Sequence, residues 1–275
     1  MSLKQFAGAV AVITGGASGI GLATACALRA KDADVVLADI NSGALQQAAQ
    51  QVHQSNPSSI AQVLTVVTDV TSEEQVQECM RQALALRGRI DLVVTCAGVG
   101  RGGPIDTFTG EQMQAMMNIN FMGTYHTIRA ALPAMRQQQR GHFVLLSSVA
   151  GKLCPPLLSG YAATKWAVRG LSSALRAELY GTGIGITTVY PAWVDTPMVH
   201  QEDMEFLDAV VMLKPEQVAA AILQAVQEDK SDLTLAPNPD IAAGLQLMHD
   251  DQDNAEQVVG KSFYRRMQQF TQQQT

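Results

Sequence analysis

Tyr161 and Lys165 stand four residues apart in the run Tyr161-Ala162-Ala163-Thr164-Lys165. On a helix that spacing puts both on one face, bringing an ammonium near a phenol. A free tyrosine titrates near pH ~10 and is a poor base at neutral pH. A nearby cation favours tyrosinate and lowers that value by roughly one to three units; three units correspond to about 4 kcal/mol. The pair therefore predicts a depressed Tyr161 pKa and a side chain that both donates and accepts a proton. Such a pair also occurs on ordinary amphipathic helices, so its weight comes from its surroundings. Thirteen residues upstream, Ser148 ends an apolar strand in Leu145-Leu146-Ser147-Ser148-Val149-Ala150-Gly151. From there its hydroxyl could bond a substrate carbonyl oxygen. Without Tyr161 and Lys165 it would read as a turn or helix cap.

A second constellation is Thr14-Gly15-Gly16-Ala17-Ser18-Gly19-Ile20-Gly21, directly after one apolar run and before a helical one. Glycines there permit a tight turn and let backbone N–H groups approach a pyrophosphate at the helix N-terminus, where the dipole favours anions. Gly15, Ala17, Ser18, Gly19, Ile20 and Gly21 form the candidate cradle, although small residues also sit at any crowded strand–helix turn. Asp39 closes the second strand eighteen residues after Gly21, near the spacing at which a carboxylate meets the adenosine ribose hydroxyls. It is followed by Ile40 and Asn41 rather than by arginine, and a carboxylate repels a 2′-phosphate, so the expected cofactor is NAD rather than NADP. Taken alone, Asp39 is equally a strand-end turn residue. Asp69 and Val70 follow the third strand beside the expected adenine, and Asp69 reads as well as a cap for the next helix.

These groups need a scaffold that brings strand ends together. Strands are expected at residues 10–13, 34–38, 63–67, 90–95, 142–146, 186–190 and 233–236, alternating with helices at 20–30, 42–54, 73–86, 111–137, 161–180 and 216–228. Ser72 with Gln75 suggests a capping box. Strict alternation implies βαβ units: a single Rossmann-type doubly wound α/β domain, a parallel sheet of about seven strands with helices on both faces. Residues 1–236 are assigned to this domain. Residues 237–275 open on Pro237-Asn238-Pro239 and continue Gln-rich, as a helical tail that packs on the core, on a partner subunit, or frays.

Composition agrees with an enzyme core. Hydrophobic residues make up 47% of the 275 and charged residues 16%, which supplies a core and argues against disorder. A net charge of −6 offers no basic stripe for nucleic acid. The four cysteines Cys26, Cys79, Cys96 and Cys154 are scattered without metal-ligand spacing, which suits a reduced, cytoplasmic setting and no metal. The first residues read as neither a signal peptide nor a membrane span.

The chain resembles a classical short-chain dehydrogenase/reductase over residues 8 to about 236. Residues 14–21 match the family's TGxxxGxG loop, Ser148 its catalytic serine, and Tyr161 with Lys165 its YxxxK. The resemblance implies that Asn120, in Asn120-Phe121-Met122-Gly123, completes the catalytic set by holding a water that links Lys165 to solvent; Asn118 lacks the glycine three residues later. It implies that Lys165 holds the nicotinamide ribose, that Pro191, Val194 and Thr196 border the carboxamide, and that Cys96, Ala97 and Gly98 approach the cofactor's edge. A homodimer or homotetramer across helices 111–137 and 161–180 is likewise implied. Two departures stand out. Thr95-Cys96-Ala97-Gly98 replaces the family's Asn-Asn-Ala-Gly, and Ala192 replaces a glycine, which would be costly at positive φ.

The resulting expectation is an NAD(H)-dependent oxidoreductase interconverting a secondary alcohol and a ketone or aldehyde. Leu153, Cys154, Pro155, Pro156, Leu157 and Leu158, with Val99, Trp193 and Met198, either wall a lipophilic substrate pocket or pack in a subunit contact. Arg101 alone makes no carboxylate clamp, and Cys154 and His126 are expected to serve packing. Three other readings are a non-catalytic NAD(H) sensor, a lyase or epimerase of the same broad fold, and an interaction protein acting through the tail. The first has no reason to keep Ser148, Tyr161 and Lys165 together; the second, by resemblance, uses a different glycine spacing.

Overall fold

The computed structural model of the protein describes residues 3–199 and 211–273, so the last two residues of the expected tail lie outside the described residues. Seven strands are present: β1 (Val10–Thr14), β2 (Asp34–Asp39), β3 (Val63–Val67), β4 (Leu92–Thr95), β5 (Gly141–Leu146), β6 (Ile184–Pro191) and β7 (Asp232–Leu235). They pair in parallel in the order β3-β2-β1-β4-β5-β6-β7. Between them run α1 (Gly19–Arg29), α2 (Ser42–Ser55), α3 (Glu73–Arg87), α4 (Gly110–Met117), α5 (Gly123–Gln138), α6 (Ser159–Glu178) and α7 (Pro215–Glu228).

The central strands are continuous apolar runs because both of their faces are covered. Their period of two splits the core in two. Ala11, Ile13, Val35 and Leu37 pack with Leu28 and Ile222 on one face, while Val12, Val36, Val93 and Phe143 pack with Met80 and Ile128 on the other. The sheet is built outward in both directions from β1 and β4. That reversal opens a crevice at their carboxyl ends, where open α/β sheets bind ligands.

Two local expectations are corrected. The helix expected over 111–137 is broken into α4 and α5 by a π-helical turn, Asn118–Met122, in which the Gly123 N–H reaches back to the Asn118 carbonyl. The turn spans only five residues, too few for periodicity over a window of roughly 11–18 residues to reveal it. At the start of α3, the Ser72 hydroxyl accepts from Gln75 N–H (3.3 Å), but the Gln75 side chain accepts from Asp69 N–H (2.9 Å) instead of closing the box.

Beyond β7 the tail forms two helices, α8 (Pro239–Asp250) and α9 (Gln252–Gln273), which lie against each other. Gly244 of α8 faces Leu153, where an added Cβ would come within 3.2 Å of Leu153 Cδ2, and Ala255 of α9 is fully buried. The hairpin thus backs the segment between Ser148 and Tyr161.

Candidate active site

The glycine loop is shaped by contacts that leave no room for side chains. Gly15 has φ +64°, and a Cβ there would sit 2.6 Å from the Ala97 nitrogen at the end of β4; a Cβ at Gly21 would collide with the Gly15 carbonyl oxygen. Cys96 and Ala97 are thereby brought against the loop. Ser18 caps α1 in extended geometry, is exposed, and makes no side-chain cap bond. The α1 N-terminus therefore presents free N–H groups and a free hydroxyl.

Asp39 anchors this loop to β2. Its two carboxylate oxygens accept from Ala17 N–H (3.2 Å) and from Asn41 N–H (3.1 Å), and each keeps acceptor capacity for a further partner. Ile40 beside it is 67% exposed, an apolar surface at the sheet edge. Asp69 is turned into its own loop, accepting from Thr71 N–H and hydroxyl (both 2.8 Å), while Val70 is buried beneath Gly123. The turn-forming role of Asp69 is thus realised.

The proton-transfer candidates converge at the carboxyl ends of β4 and β5. Ser148 follows β5, accepts from Ala150 N–H (3.2 Å) and makes a long bond to the Pro191 carbonyl (3.4 Å). Lys165, 5% exposed, donates from Nζ to the Leu146 carbonyl (3.0 Å) and lies 5.5 Å from the Tyr161 ring centroid. Its neighbours include Gly98, where an added Cβ would meet Asn120 Oδ1 at 3.2 Å and Lys165 Nζ at 3.8 Å.

Burial dominates the titration of both groups. It pushes the Tyr161 phenol up to about 12, against the opposing Ser148 hydroxyl, and pulls the Lys165 ammonium down to about 8. The expected depression of Tyr161 is therefore overturned. The ammonium is bonded to a backbone carbonyl rather than to the phenol oxygen, and desolvation of a phenolate outweighs it. Burial likewise pushes the Cys96 thiol up to about 12, although Lys165 opposes this.

Asn120 lies in the π turn and is 1% exposed. Its Oδ1 accepts from Val99 N–H (2.8 Å), and its Nδ2 donates to the Val99 carbonyl (2.9 Å) and the Thr164 hydroxyl (3.0 Å). It therefore clamps the loop after β4 to α6. Thr164, inside the Tyr–Lys interval, passes the restraint on by donating to the Tyr161 carbonyl (2.8 Å). Asn118 instead accepts from Gln114 on the helix surface. Ser147 fixes the same region by donating to the Lys165 carbonyl (2.9 Å). Sequence reasoning passed over Thr164 and Ser147, although both sit within the quoted motifs. The Leu146 and Val99 backbone contacts leave no residue-type signal at all.

After β6 the chain is held by Leu213, which accepts from Asp195 N–H and donates to the Trp193 carbonyl (both 2.9 Å). Strand alternation then aims the N–H and C=O of Val194, which lies between them, to the opposite side. Thr196 reaches the glycine loop, its Cγ2 3.0 Å from where a Gly19 Cβ would be. Pro191 is buried at the end of β6. The concern over Ala192 disappears, because it is not among the described residues with positive φ. The change at Thr95 leaves its buried hydroxyl without a partner among the described residues, while the β1–β4–β5 ladder persists. His126 packs as expected, its Nδ1 3.1 Å from the Val70 carbonyl; Cys154 is exposed, contrary to a packing role. Arg101 lies over the Phe108 ring, 5.8 Å away.

Among the described residues no group of His, Cys, Asp and Glu could hold a metal, and no helix is long and apolar enough to cross a membrane.

Residues 9–205 match the short chain dehydrogenase family. The chain belongs to that family. It is 34% identical over 235 residues to an uncharacterised oxidoreductase of Staphylococcus aureus (strain N315), covering 83% of this chain and 96% of the relative. A short-chain dehydrogenase/reductase from Burkholderia phymatum, in complex with NAD, superposes with a TM-score of 0.82 at 31% identity, covering 90% of this chain and 95% of that one. An alcohol dehydrogenase from Thermococcus sibiricus, complexed with 5-hydroxy-NADP, gives a TM-score of 0.72 at 26% identity, covering 83% and 96%. The protein is accordingly an oxidoreductase of the short-chain family with a Rossmann-type domain. A nicotinamide dinucleotide is the group this family implies, and the residues present fit one: the Gly15–Gly21 cradle excludes side chains, and the free α1 N-terminus adjoins an anchored carboxylate.

Proposed function

We propose that this protein interconverts a secondary alcohol and a ketone or aldehyde with NAD(H), through Ser148, Tyr161, Lys165 and Asn120. The observation that carries the reading is Lys165 buried beside the Tyr161 ring, 5.5 Å from its centroid, with Ser148 at the end of β5 and Asn120 clamping the same helix. Tyr161 Oη holds its proton at rest. In the reductive direction it donates that proton to the carbonyl oxygen, while the Ser148 hydroxyl donates a hydrogen bond to the same atom. The bound nicotinamide would supply the hydride to the carbonyl carbon, chemistry that belongs to the cofactor. The carbonyl carbon gains the hydride, its oxygen gains the Tyr161 proton, and an alcohol results. In oxidation a phenolate must accept the alcohol proton, and the Lys165 ammonium supplies favourable charge for it.

Cofactor choice rests on Asp39. Its carboxylate beside Ala17 would accept from ribose hydroxyls and repel a 2′-phosphate, which favours NAD over NADP. Gly15, Ala17, Ser18, Gly19, Ile20 and Gly21 hold the pyrophosphate in this reading, Ile40 and Val70 flank the adenine, and Cys96, Ala97 and Gly98 line the nicotinamide side. Val194 and Thr196 take the carboxamide beside Pro191. The Thermococcus enzyme's NADP analogue shows that the fold admits either cofactor, so the choice falls to residues at this position.

The substrate is small to medium and lipophilic. Val99 and Met198 are 40% and 38% exposed, and Met198 lies 3.5 Å from a Cβ placed on Gly100. The reading includes a cytoplasmic homo-oligomer, with residues 1–236 as the catalytic unit and 237–275 as a tail packed upon it. Titrating wild type and Asp39→Ala with NADH and NADPH, followed by nicotinamide fluorescence, tests the cofactor assignment. NADH should bind at least tenfold more tightly to wild type, about 1.4 kcal/mol, and Asp39→Ala should narrow the gap. A wild-type preference for NADPH would overturn the role given to Asp39.

A further inference from the structure

Asn238 opens α8 as its N-cap residue, in extended geometry ahead of Pro239, yet its side chain makes no cap bond. Asparagine is among the preferred caps because its side-chain oxygen accepts from the first free N–H groups of a helix. Here the carboxamide is committed elsewhere. Its Nδ2 donates to the Val211 carbonyl (3.0 Å) and its Oδ1 accepts from the Val211 N–H (2.9 Å), so one side chain satisfies both backbone groups of one residue. The helix is left with the Asn238 carbonyl, which accepts from Ala242 N–H (3.0 Å). Val211 is 52% exposed, so the contact does not serve to bury its side chain.

Two residues after Val211, Leu213 forms a parallel bridge with Val194. Through that bridge Trp193 and Asp195 are bonded to Leu213 (both 2.9 Å), and Ala192 N–H just before them donates to the Leu235 carbonyl at the end of β7 (2.9 Å). Thr196 follows directly and reaches the glycine loop at Gly19. The bonds that hold this stretch therefore come from β7 and from residues 211–213. Asn238, three residues after Leu235, ties those two supports together. A wall fixed before a ligand arrives costs less ordering on binding than one that must be fixed at that moment.

We infer that Asn238 is a positioning residue for the nicotinamide end of the cofactor site, joining the C-terminal hairpin to the wall formed by Val194 and Thr196. This rests on the NAD(H) reading above, in which those two residues take the carboxamide. The test compares NADH with ADP-ribose, which carries the same adenosine, pyrophosphate and second ribose but no nicotinamide. Both are titrated by calorimetry into wild type, Asn238→Ala and Asn238→Asp, with melting temperature recorded for each. Asn238→Ala should weaken NADH about fivefold to tenfold, the order that two hydrogen bonds contribute, and ADP-ribose less than about twofold. Asn238→Asp keeps an acceptor for the Val211 N–H but turns a carboxylate oxygen toward the Val211 carbonyl. It should show the same selective loss, and it reads the difference if the alanine variant fails to fold. Equal weakening of both ligands, or unchanged NADH affinity, would make Asn238 a structural residue of the tail and overturn the inference. Wild-type protein that binds ADP-ribose as tightly as NADH would instead overturn the assignment of Val194 and Thr196 to the carboxamide, and the role of Asn238 with it.

Discussion

The two edges of the sheet treat buried charge in opposite ways. At the amino ends of the strands, Asp91 is 1% exposed and fully occupied: it accepts from Arg89 (2.7 Å), Arg140 (2.6 Å) and Val10 N–H (2.9 Å). Asp34 is held similarly. Burial alone would raise its pKa, but Arg87 and the Gln62 N–H together hold the carboxyl below its ordinary value. At the carboxyl ends, Lys165 is also buried and, among the described residues, bonded only to a backbone carbonyl, while Asp39 meets N–H groups and no cation among them. Charges that serve the fold are paired, because an unpaired buried charge is costly. In the proposed reading, Lys165 and Asp39 are the charges that would meet the cofactor. One sheet thus separates stability from chemistry along a strand's length.

The sharpest break in this comparison is Lys165→Met. It should reduce turnover by roughly 10²- to 10³-fold while raising the melting temperature by a few degrees, as a strained ammonium is removed. The sign follows from its lowered pKa. Below pH about 8 the folded protein bears the cost of charging a desolvated lysine, and that cost fades as pH rises toward 10.5. Thermal scans at pH 7 check the direction, and a lowered melting temperature would remove Lys165 from the uncompensated set.

Asp91→Ala tests the opposite edge. It strands two guanidinium groups and the Val10 N–H, and should cost about 2–3 kcal/mol in urea unfolding while leaving NADH affinity unchanged. Loss of NADH affinity at full stability would blur the division between the edges.

His142 supplies a smaller and pH-dependent effect. It is buried in β5 with Nε2 2.8 Å from the Thr187 hydroxyl, and Nδ1 has no hydrogen-bond partner among the described residues. Burial lowers its pKa to about 4, with the Asp229 carboxylate opposing. A depressed folded pKa gives stability that is full above pH 6.5 and is lost as pH falls toward 4, by roughly 1–3 kcal/mol. His142→Gln should flatten unfolding free energy across that window relative to wild type. An unchanged slope would assign the acid sensitivity to carboxylates instead.

Much of this division is written in residue types. The glycine loop, Asp39 and the Ser148–Tyr161–Lys165 spacing are local patterns, and each expected strand occurs within two residues of its expected ends. What sequence misses depends on space rather than on type. The π turn at Asn118–Met122 is too short to show in the apolar pattern, yet it carries Asn120 into contact with Val99 and Thr164. The raised pKa of Tyr161 is the clearest case. Its spacing to Lys165 places both on one helix, but the sign is set by burial, which no four-residue interval encodes. Leu157 is similar, since nothing in a leucine announces a left-handed backbone.

Tyr161→Phe tests the central claim most directly. The substitution removes one oxygen from the carboxyl edge and leaves the cradle, Asp39 and the Lys165–Leu146 bond in place. NADH affinity by fluorescence should stay within about twofold of wild type, while NADH-dependent ketone reduction falls by roughly 10²- to 10⁴-fold. Turnover that survives the loss of the phenol would contradict the account and place the proton donor elsewhere.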